Sequence, residues 1–305
     1  MELLTNTKID FIGWRKVAFL LSAGLVLLGL VALVQIWRGA ANLGIDFAGG
    51  TAVQIRFRDP VELGAVRAVL SGAGAGESDL QQFVGGRRVL VRLKAKGESP
   101  AGTARQVEEV LRAAFPENPL EVEASSEVGP VIGRELQKAA LWAILFSLVG
   151  IVAYIAWRFE LRFGVAATVA TFHDVLAVLG VIFLLDIEIT LLVVTALLTL
   201  AGYSLTDTVV IFDRIRENLR ARRRETLAET MNASINQVLA RTLMTAVTTL
   251  LAVLALLLVG GEVLRDFALS LFLGIIVGTY SSWFVASPIV YEWRLAADRR
   301  RRRPA

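Results

Sequence analysis

Six separate stretches of this chain run apolar for roughly 20 residues, the length a helix needs to cross the hydrocarbon of a bilayer. They cover 17–36, 138–157, 163–185, 189–212, 240–259 and 266–291. One such run suits the core helix of a water-soluble protein; six do not. The chain is 55% hydrophobic and 20% charged, with mean hydropathy +0.60, which is the balance of a membrane protein. The first run follows Arg15 and Lys16 and precedes Gly39-Ala40-Ala41, a layout shared with signal peptides. Its apolar stretch exceeds the roughly 7–15 residues of a signal core, so a retained helix is expected.

Lysine and arginine in the short connections set the orientation. Lys8, Arg15 and Lys16 precede the first span, and Arg158 and Arg162 separate the second from the third. Arg214, Arg216, Arg220 and Arg222–Arg224 fall in 213–239, and Arg294 and Arg299–Arg303 fall at or beyond the start of the 292–305 tail. The alternate connections carry Asp186 and Glu188, or Glu262, Arg265 and Asp266. This asymmetry places 1–16, 213–239 and 292–305 in the cytoplasm and 37–137 outside, periplasmic or extracellular. The basic loops read as topology signals with affinity for anionic lipid, not as a nucleic-acid surface. Cysteine is absent and His173 is the one histidine. That leaves no thiolate or multi-histidine metal site, and no cofactor is expected.

Between the first two spans, 37–137 has the composition of a folded α+β domain. Ile45–Phe57 reads as a strand. Asp59, Pro60 and Glu62 suggest a capped helix start, with the helix ending near Leu70 before the glycine-rich 71–76. Leu80–Val84 and Arg88–Leu93 flank Gly85-Gly86 as a two-residue hairpin. Ser99-Pro100 opens a second helix that ends near Phe115-Pro116, and Leu120–Ala124 is a last strand. The order β-α-β-β-α-β is the ferredoxin-like unit. It fixes no function by itself. The glycines of Asp46–Thr51 read as a turn where the chain leaves the membrane.

The residues most informative about function are polar ones inside the spans. In the fourth span Thr195, Thr199, Tyr203 and Asp207 recur every four residues, with Ser204 beside them. The fifth carries Arg241, Thr245, Thr248 and Thr249; the third carries Thr171, His173 and Asp174. Ser270, Gly274, Gly278 and Ser282 form a small-residue row in the sixth, expected to be a packing face. A charge within a membrane helix costs at least about 2.5–3.5 kcal/mol on insertion scales, so it faces a partner or a wet cavity. Asp207 and Arg241 fall at comparable depth, so an ion pair between them is geometrically open. Asp207 is the leading candidate for a proton-carrying carboxylate, with Arg241 as its modulator. His173, Asp174, Tyr203, Ser204 and Thr245 form either a secondary proton path or helix-packing contacts. The alternatives at this point are a membrane component driven by an ion gradient, an RND-type pump for a lipid or small molecule, and a membrane assembly factor that transports nothing. A membrane enzyme is disfavoured: the chain shows no P-loop, no His-Glu-x-x-His and no nucleophile elbow.

Several segments resemble the SecD/SecF family, in its SecF form. Ile9-Asp10-Phe11 lies before the first span and Gly44-Ile45-Asp46-Phe47-Ala48-Gly49-Gly50-Thr51 after it. Glu127–Gly133 leads into the second span, and Phe172–Leu176 lies within the third. The most specific match is 202–217, Gly-Tyr-Ser-Leu-Thr-Asp-Thr-Val-Val-Ile-Phe-Asp-Arg-Ile-Arg-Glu, followed by Arg241-Thr242. Thr206 stands where many members carry asparagine. The resemblance implies half of an RND-like twelve-helix bundle completed by SecD. It implies action with the SecYEG channel, and with YajC and YidC, on a translocating unfolded preprotein. It also implies use of the proton-motive force, with Asp207 and Arg241 on the proton path.

Overall fold

The computed structural model describes residues 7–75, 78–83, 85–94, 102–221 and 225–301. Val84, Ser99-Pro100, Arg222–Arg224 and Arg302-Arg303 lie outside them. The chain divides into two compact units. One holds the residues up to Asn42, Ala143–Glu188 and the chain from Leu192 onward; the other holds Leu43–Trp142 with Ile189–Leu191.

The first unit is a helical bundle. Its helices are α1 (Arg15–Trp37), the later part of α5 (Pro130–Arg158), α6 (Leu161–Leu184), α7 (Leu191–Ala221), α8 (Leu227–Val259), α9 (Glu262–Ser281) and α10 (Ser287–Arg301). A π-helical turn, Ser282–Ala286, joins α9 to α10 into one continuous rod. Among the described residues six helices are long and apolar enough to cross a membrane. Many large apolar side chains on α1 and α5 point outward, including Leu20, Leu27, Leu141 and Phe146. That is the expected arrangement where lipid, not water, is the solvent.

Close helix approach in the bundle depends on small residues. The side of α1 that is buried reads Ala18, Ser22, Gly29 and Ala32. A Cβ on Gly29 would overlap the Leu176 carbonyl oxygen of α6, and one on Gly180 would lie 2.7 Å from the Gly29 nitrogen. The two backbones therefore touch, with dispersion contacts that larger residues would prevent. The small-residue row of α9 behaves similarly: a Cβ on Gly274 would meet Leu200, and one on Gly278 would lie 3.0 Å from the Ser204 Cβ. Pro288 supplies a cause for the π turn. Proline has no N–H to donate, and its ring crowds the carbonyl four residues earlier, so the helix widens just upstream.

At one end of the bundle Phe11, Ile12, Phe159, Phe163, Phe212, Ile215 and Met231 form a core cluster, with the Phe163 and Phe212 rings 5.1 Å apart. The segment before α1 is held there by two asparagines one turn apart on α8. Asn236 Oδ1 accepts the Ile9 N–H at 3.0 Å, and its Nδ2 donates to the Ile9 carbonyl at 2.9 Å. Asn232 Oδ1 accepts the Ile12 N–H at 3.0 Å, and its Nδ2 donates to Asp10 at 2.7 Å.

The second unit is built on a four-stranded antiparallel sheet of β1 (Gly50–Phe57), β2 (Asp79–Gln82), β3 (Arg88–Lys94) and β4 (Leu120–Val128), in the order β2-β3-β1-β4. Helices α3 (Leu63–Gly72) and α4 (Thr103–Ala114) complete the β-α-β-β-α-β sequence of elements. Alternation along β1 turns Val53, Ile55 and Phe57 into a core shared with Val66, Leu70, Val89, Val91, Val107 and Leu111.

Several local expectations are corrected. Ile45–Ala48 is a helical turn, α2, and not the start of a strand. The Asp59–Glu62 capping box does not form. The Asp59 N–H is taken by Asn118 Oδ1 at 2.9 Å and the Val61 N–H by the Gly86 carbonyl at 2.9 Å, so the helix begins only at Leu63. The β2–β3 connection is wider than two residues, because Phe83 N–H already pairs with the Arg88 carbonyl. Strand β4 runs on to Val128 because its far end pairs with Gly50 of β1.

Candidate functional site

The segment Gly44–Gly50 makes a compact knot within the second unit. Gly44 N–H bonds the Ile189 carbonyl at 2.9 Å, and Asp46 Oδ2 accepts the N–H of Leu191, the first residue of α7, at 2.9 Å. Asp46 thus satisfies one of the donors a helix N-terminus leaves free. Phe47 is buried, and its carbonyl accepts from Gln137 Nε2 at 2.8 Å. Gly49 takes φ +74°, which a side chain would resist, and a Cβ there would press on Pro130 at 3.1 Å.

In the bundle, α7 and α8 carry the polar stripes read from the sequence. Most of their hydroxyls turn back onto their own helix. Thr199 donates to the Thr195 carbonyl at 2.8 Å, Thr206 to Gly202 at 3.0 Å, Thr245 to Arg241 at 2.9 Å and Thr248 to Met244 at 2.8 Å. These residues are satisfied without a second helix. Asp207 is not: it is half-buried, and its Oδ2 is shielded from solvent with no hydrogen-bond partner among the described residues. The hydroxyls of Thr242 on α8 and Ser282 in the π turn lie beside it, and Thr242 Oγ1 makes no hydrogen bond of its own among the described residues. Tyr203, one turn earlier on α7, faces Thr249 and feels the Asp207 charge. Arg241 acts on Asp207 by charge, but no salt bridge joins the two among the described residues. Arg241, Thr245 and Thr248 are exposed on α8, as are Gly202 and Thr206 on α7.

The second constellation is fully buried. Asp174 on α6 has no exposed surface, and His173 only 4%. His173 Nδ1 lies 2.9 Å from Asp174 Oδ1. Asp174 Oδ2 accepts from Ser204 Oγ on α7 and from Ser281 Oγ at the end of α9, the latter at 2.8 Å. Ser204, expected on the Asp207 stripe, therefore belongs to Asp174. The next serine, Ser282, sits 3.0 Å from Thr208 Oγ1, with both hydroxyls buried. Sequence reading had treated Ser282 as packing only and had passed over Ser281 and Thr208. A serine pair, Ser281-Ser282, shortly before Pro288 is the available signal.

Six apolar spans, with carboxylates among them, and one α+β domain define a multi-pass membrane protein. The comparisons with known proteins make the assignment specific. The family described as "Protein export membrane protein SecD/SecF, C-terminal" matches residues 106–296, and "SecD/SecF GG Motif" matches 41–61. The protein translocase subunit SecF of Thermodesulfovibrio yellowstonii is 51% identical over 95% of this chain and 96% of its own length. That of Vibrio alginolyticus is 42% identical over 93% and 89%. The crystal structure of SecDF, a translocon-associated membrane protein from Thermus thermophilus, superposes with TM-score 0.83 at 42% identity over 97% of this chain. SecDF in a super-membrane-facing form gives 0.71 at 40% identity over 99%. This chain spans about 40% of the length of those SecDF chains. The chain belongs to the SecF family of protein translocase subunits, which is not a family of enzymes.

Proposed function

We propose that this chain works with SecD as an ion-driven auxiliary of the Sec export channel, using the proton-motive force to promote movement of unfolded preprotein across the bacterial inner membrane. The observation that carries this reading is Asp207: a carboxylate within a membrane helix, with one shielded oxygen unpartnered among the described residues and a nearby arginine that is not locked to it. A carboxylate in that setting can take up and release a proton, and Arg241 shifts the balance as it approaches or withdraws. Each elementary charge crossing 100 mV supplies about 2.3 kcal/mol, enough to bias a conformational equilibrium. The exposed polar residues of α7 and α8 suit a face that SecD helices complete, since polar surface turned to lipid is costly. SecYEG, YajC and YidC are the expected further partners. The membrane orientation proposed is both termini cytoplasmic and 37–137 periplasmic.

The test is export into vesicles holding the purified channel, SecD and this chain, with and without an imposed proton gradient. Asp207→Asn keeps size and hydrogen-bonding capacity but removes titration. Loss of gradient stimulation with normal assembly is expected. Full stimulation in this variant would show the carboxylate to be structural.

A further inference from the structure

The buried pair on α6 calls for an account beyond packing. The groups that face Asp174 are His173 on its own helix, Ser204 on α7, and Ser281 on α9. Tyr280 lies 6.4 Å, ring to ring, from His173, and its hydroxyl is engaged with Ser22 of α1 at 3.2 Å and the Ala18 carbonyl at 2.9 Å. Asp207 and Tyr203 flank Ser204 on α7. Of these neighbours only Asp207 can carry a full charge besides the pair itself, and that charge is negative. No arginine or lysine salt bridge reaches Asp174 among the described residues.

Charge bookkeeping then separates two states. With a neutral imidazole, Nδ1–H donates to Oδ1, the two serines donate to Oδ2, and the pair carries one net negative charge in an apolar bundle. His173 Nε2 is in that state a shielded lone pair, and it has no partner among the described residues. One added proton makes the pair neutral overall, as imidazolium with carboxylate or as imidazole with carboxylic acid. The 2.9 Å contact suits both, so no heavy atom has to move. A hard metal cation is poorly matched: Oδ1 is taken by a nitrogen, and only two hydroxyls surround Oδ2.

We propose that His173 and Asp174 form a second proton-binding site in this chain, linked to Asp207 through Ser204 on α7 and the Ser281-Ser282 pair at the start of the π turn. Ser281 bonds Asp174, while its neighbour Ser282 meets Thr208 and lies beside Asp207. Two carboxylates thus share the same two elements, and loading one changes the field and the hydroxyl orientations at the other. π turns inside α-helices recur at functional sites. The inference rests on the proton-driven reading of Asp207, yet its test needs no export.

Because His173 is the chain's one histidine, 15N-histidine labelling of the full chain in lipid nanodiscs reports this site without mutation. Nitrogen NMR, with infrared spectra of the carboxyl stretch, is followed from about pH 4 to pH 9, the range spanning ordinary carboxylate and imidazole titration. The expected result is uptake of one proton by the pair, seen as conversion of the His173 nitrogens or gain of a carboxyl band. That band disappears in Asp174→Asn. Asp207→Asn is expected to move the midpoint by at least about fivefold in proton affinity, the low end of typical coupling between linked sites. Asp174→Asn can still accept from both serines and donate to His173 Nδ1, so the fold is retained. The unmutated titration stands even if that variant assembles poorly. No titration of either residue, a midpoint indifferent to Asp207→Asn, or a response to sodium at fixed pH would each overturn the proposal. Intact titration here with unimpaired export in Asp207→Asn would instead count against the Asp207 reading alone.

Discussion

Asp207 and Asp174 show how differently the same side chain is used on adjacent helices. Asp174 has both oxygens engaged by hydroxyls and imidazole, whereas Asp207 keeps an oxygen without a partner among the described residues. Arg241 is exposed and unlocked, so its effect on Asp207 is expected to be electrostatic, not structural. Arg241→Met should therefore leave assembly intact and abolish gradient-stimulated export, and the Asp207→Asn, Arg241→Met double variant should be little worse than either single one. Residues that act as a unit are non-additive. Additive losses in the vesicle assay would mean two separate roles. Asp207 and Arg241 were legible as candidates because charge in an apolar run stands out. Their spacing in depth suggested an ion pair, and the absence of one depends on side-chain direction, which a four-residue period does not encode.

At the scale of elements, the spans follow from hydrophobic length alone, but their seams do not. The α9 row of Ser270, Gly274, Gly278 and Ser282 was readable at a spacing of four. The α1 seam was not, since Ala18, Ser22, Gly29 and Ala32 are interleaved with leucines and valines and their spacing is irregular. The Gly29–Gly180 crossing leaves no room for a side chain. Gly29→Leu or Gly180→Leu should force α1 and α6 apart at a cost of about 1–3 kcal/mol or more, read as a lower midpoint of thermal unfolding in detergent; Gly24→Leu, which meets nothing, is the matched control. Capping shows the same division. The box that forms is Thr226 with Glu229 at the start of α8, where the Thr226 side chain accepts the Glu229 N–H and Glu229 accepts the Thr226 N–H at 2.8 Å. Asp59 has the right residue types, but its backbone is drawn to Asn118, a contact between distant parts of the chain. Thr226→Ala should cost about 1 kcal/mol and speed amide exchange in the first turn of α8.

Across the whole molecule, two solvents shape two units. The sheet unit packs Val53, Ile55 and Phe57 inward with polar residues alternating outward, while the bundle turns many leucines out and buries Ser204, Ser281, Ser282, His173 and Asp174. Phe57→Ala should lower the stability of the sheet unit by about 3–5 kcal/mol, seen as faster exchange of the β1 and β3 amides. The β-α-β-β-α-β order was legible from turn residues and alternation; the helical turn of Ile45–Ala48 was not, because its phenylalanine and isoleucine carry strand propensity and the contacts that hold the bend, with Gly133, Gln137, Ile189 and Leu191, come from distant parts of the chain. Orientation is checked by single cysteines at exposed positions. Ala68→Cys on α3 should react with an impermeant thiol reagent added outside, and Ala296→Cys on α10 should react only after the membrane is opened. The reverse pattern would invert the proposed topology.

The two asparagines that hold the segment before α1 also set a schedule. Ile12 and Asn232 are 220 residues apart in sequence, and synthesis proceeds at about 5–20 residues per second. Ile12 therefore waits roughly 10–45 s after its own synthesis for the helix that receives it. During that interval Phe11 and Ile12, buried in the finished chain, have no native place to go. Helix α8, made later, thus closes over the segment before α1, and biogenesis must shelter Phe11 and Ile12 until then.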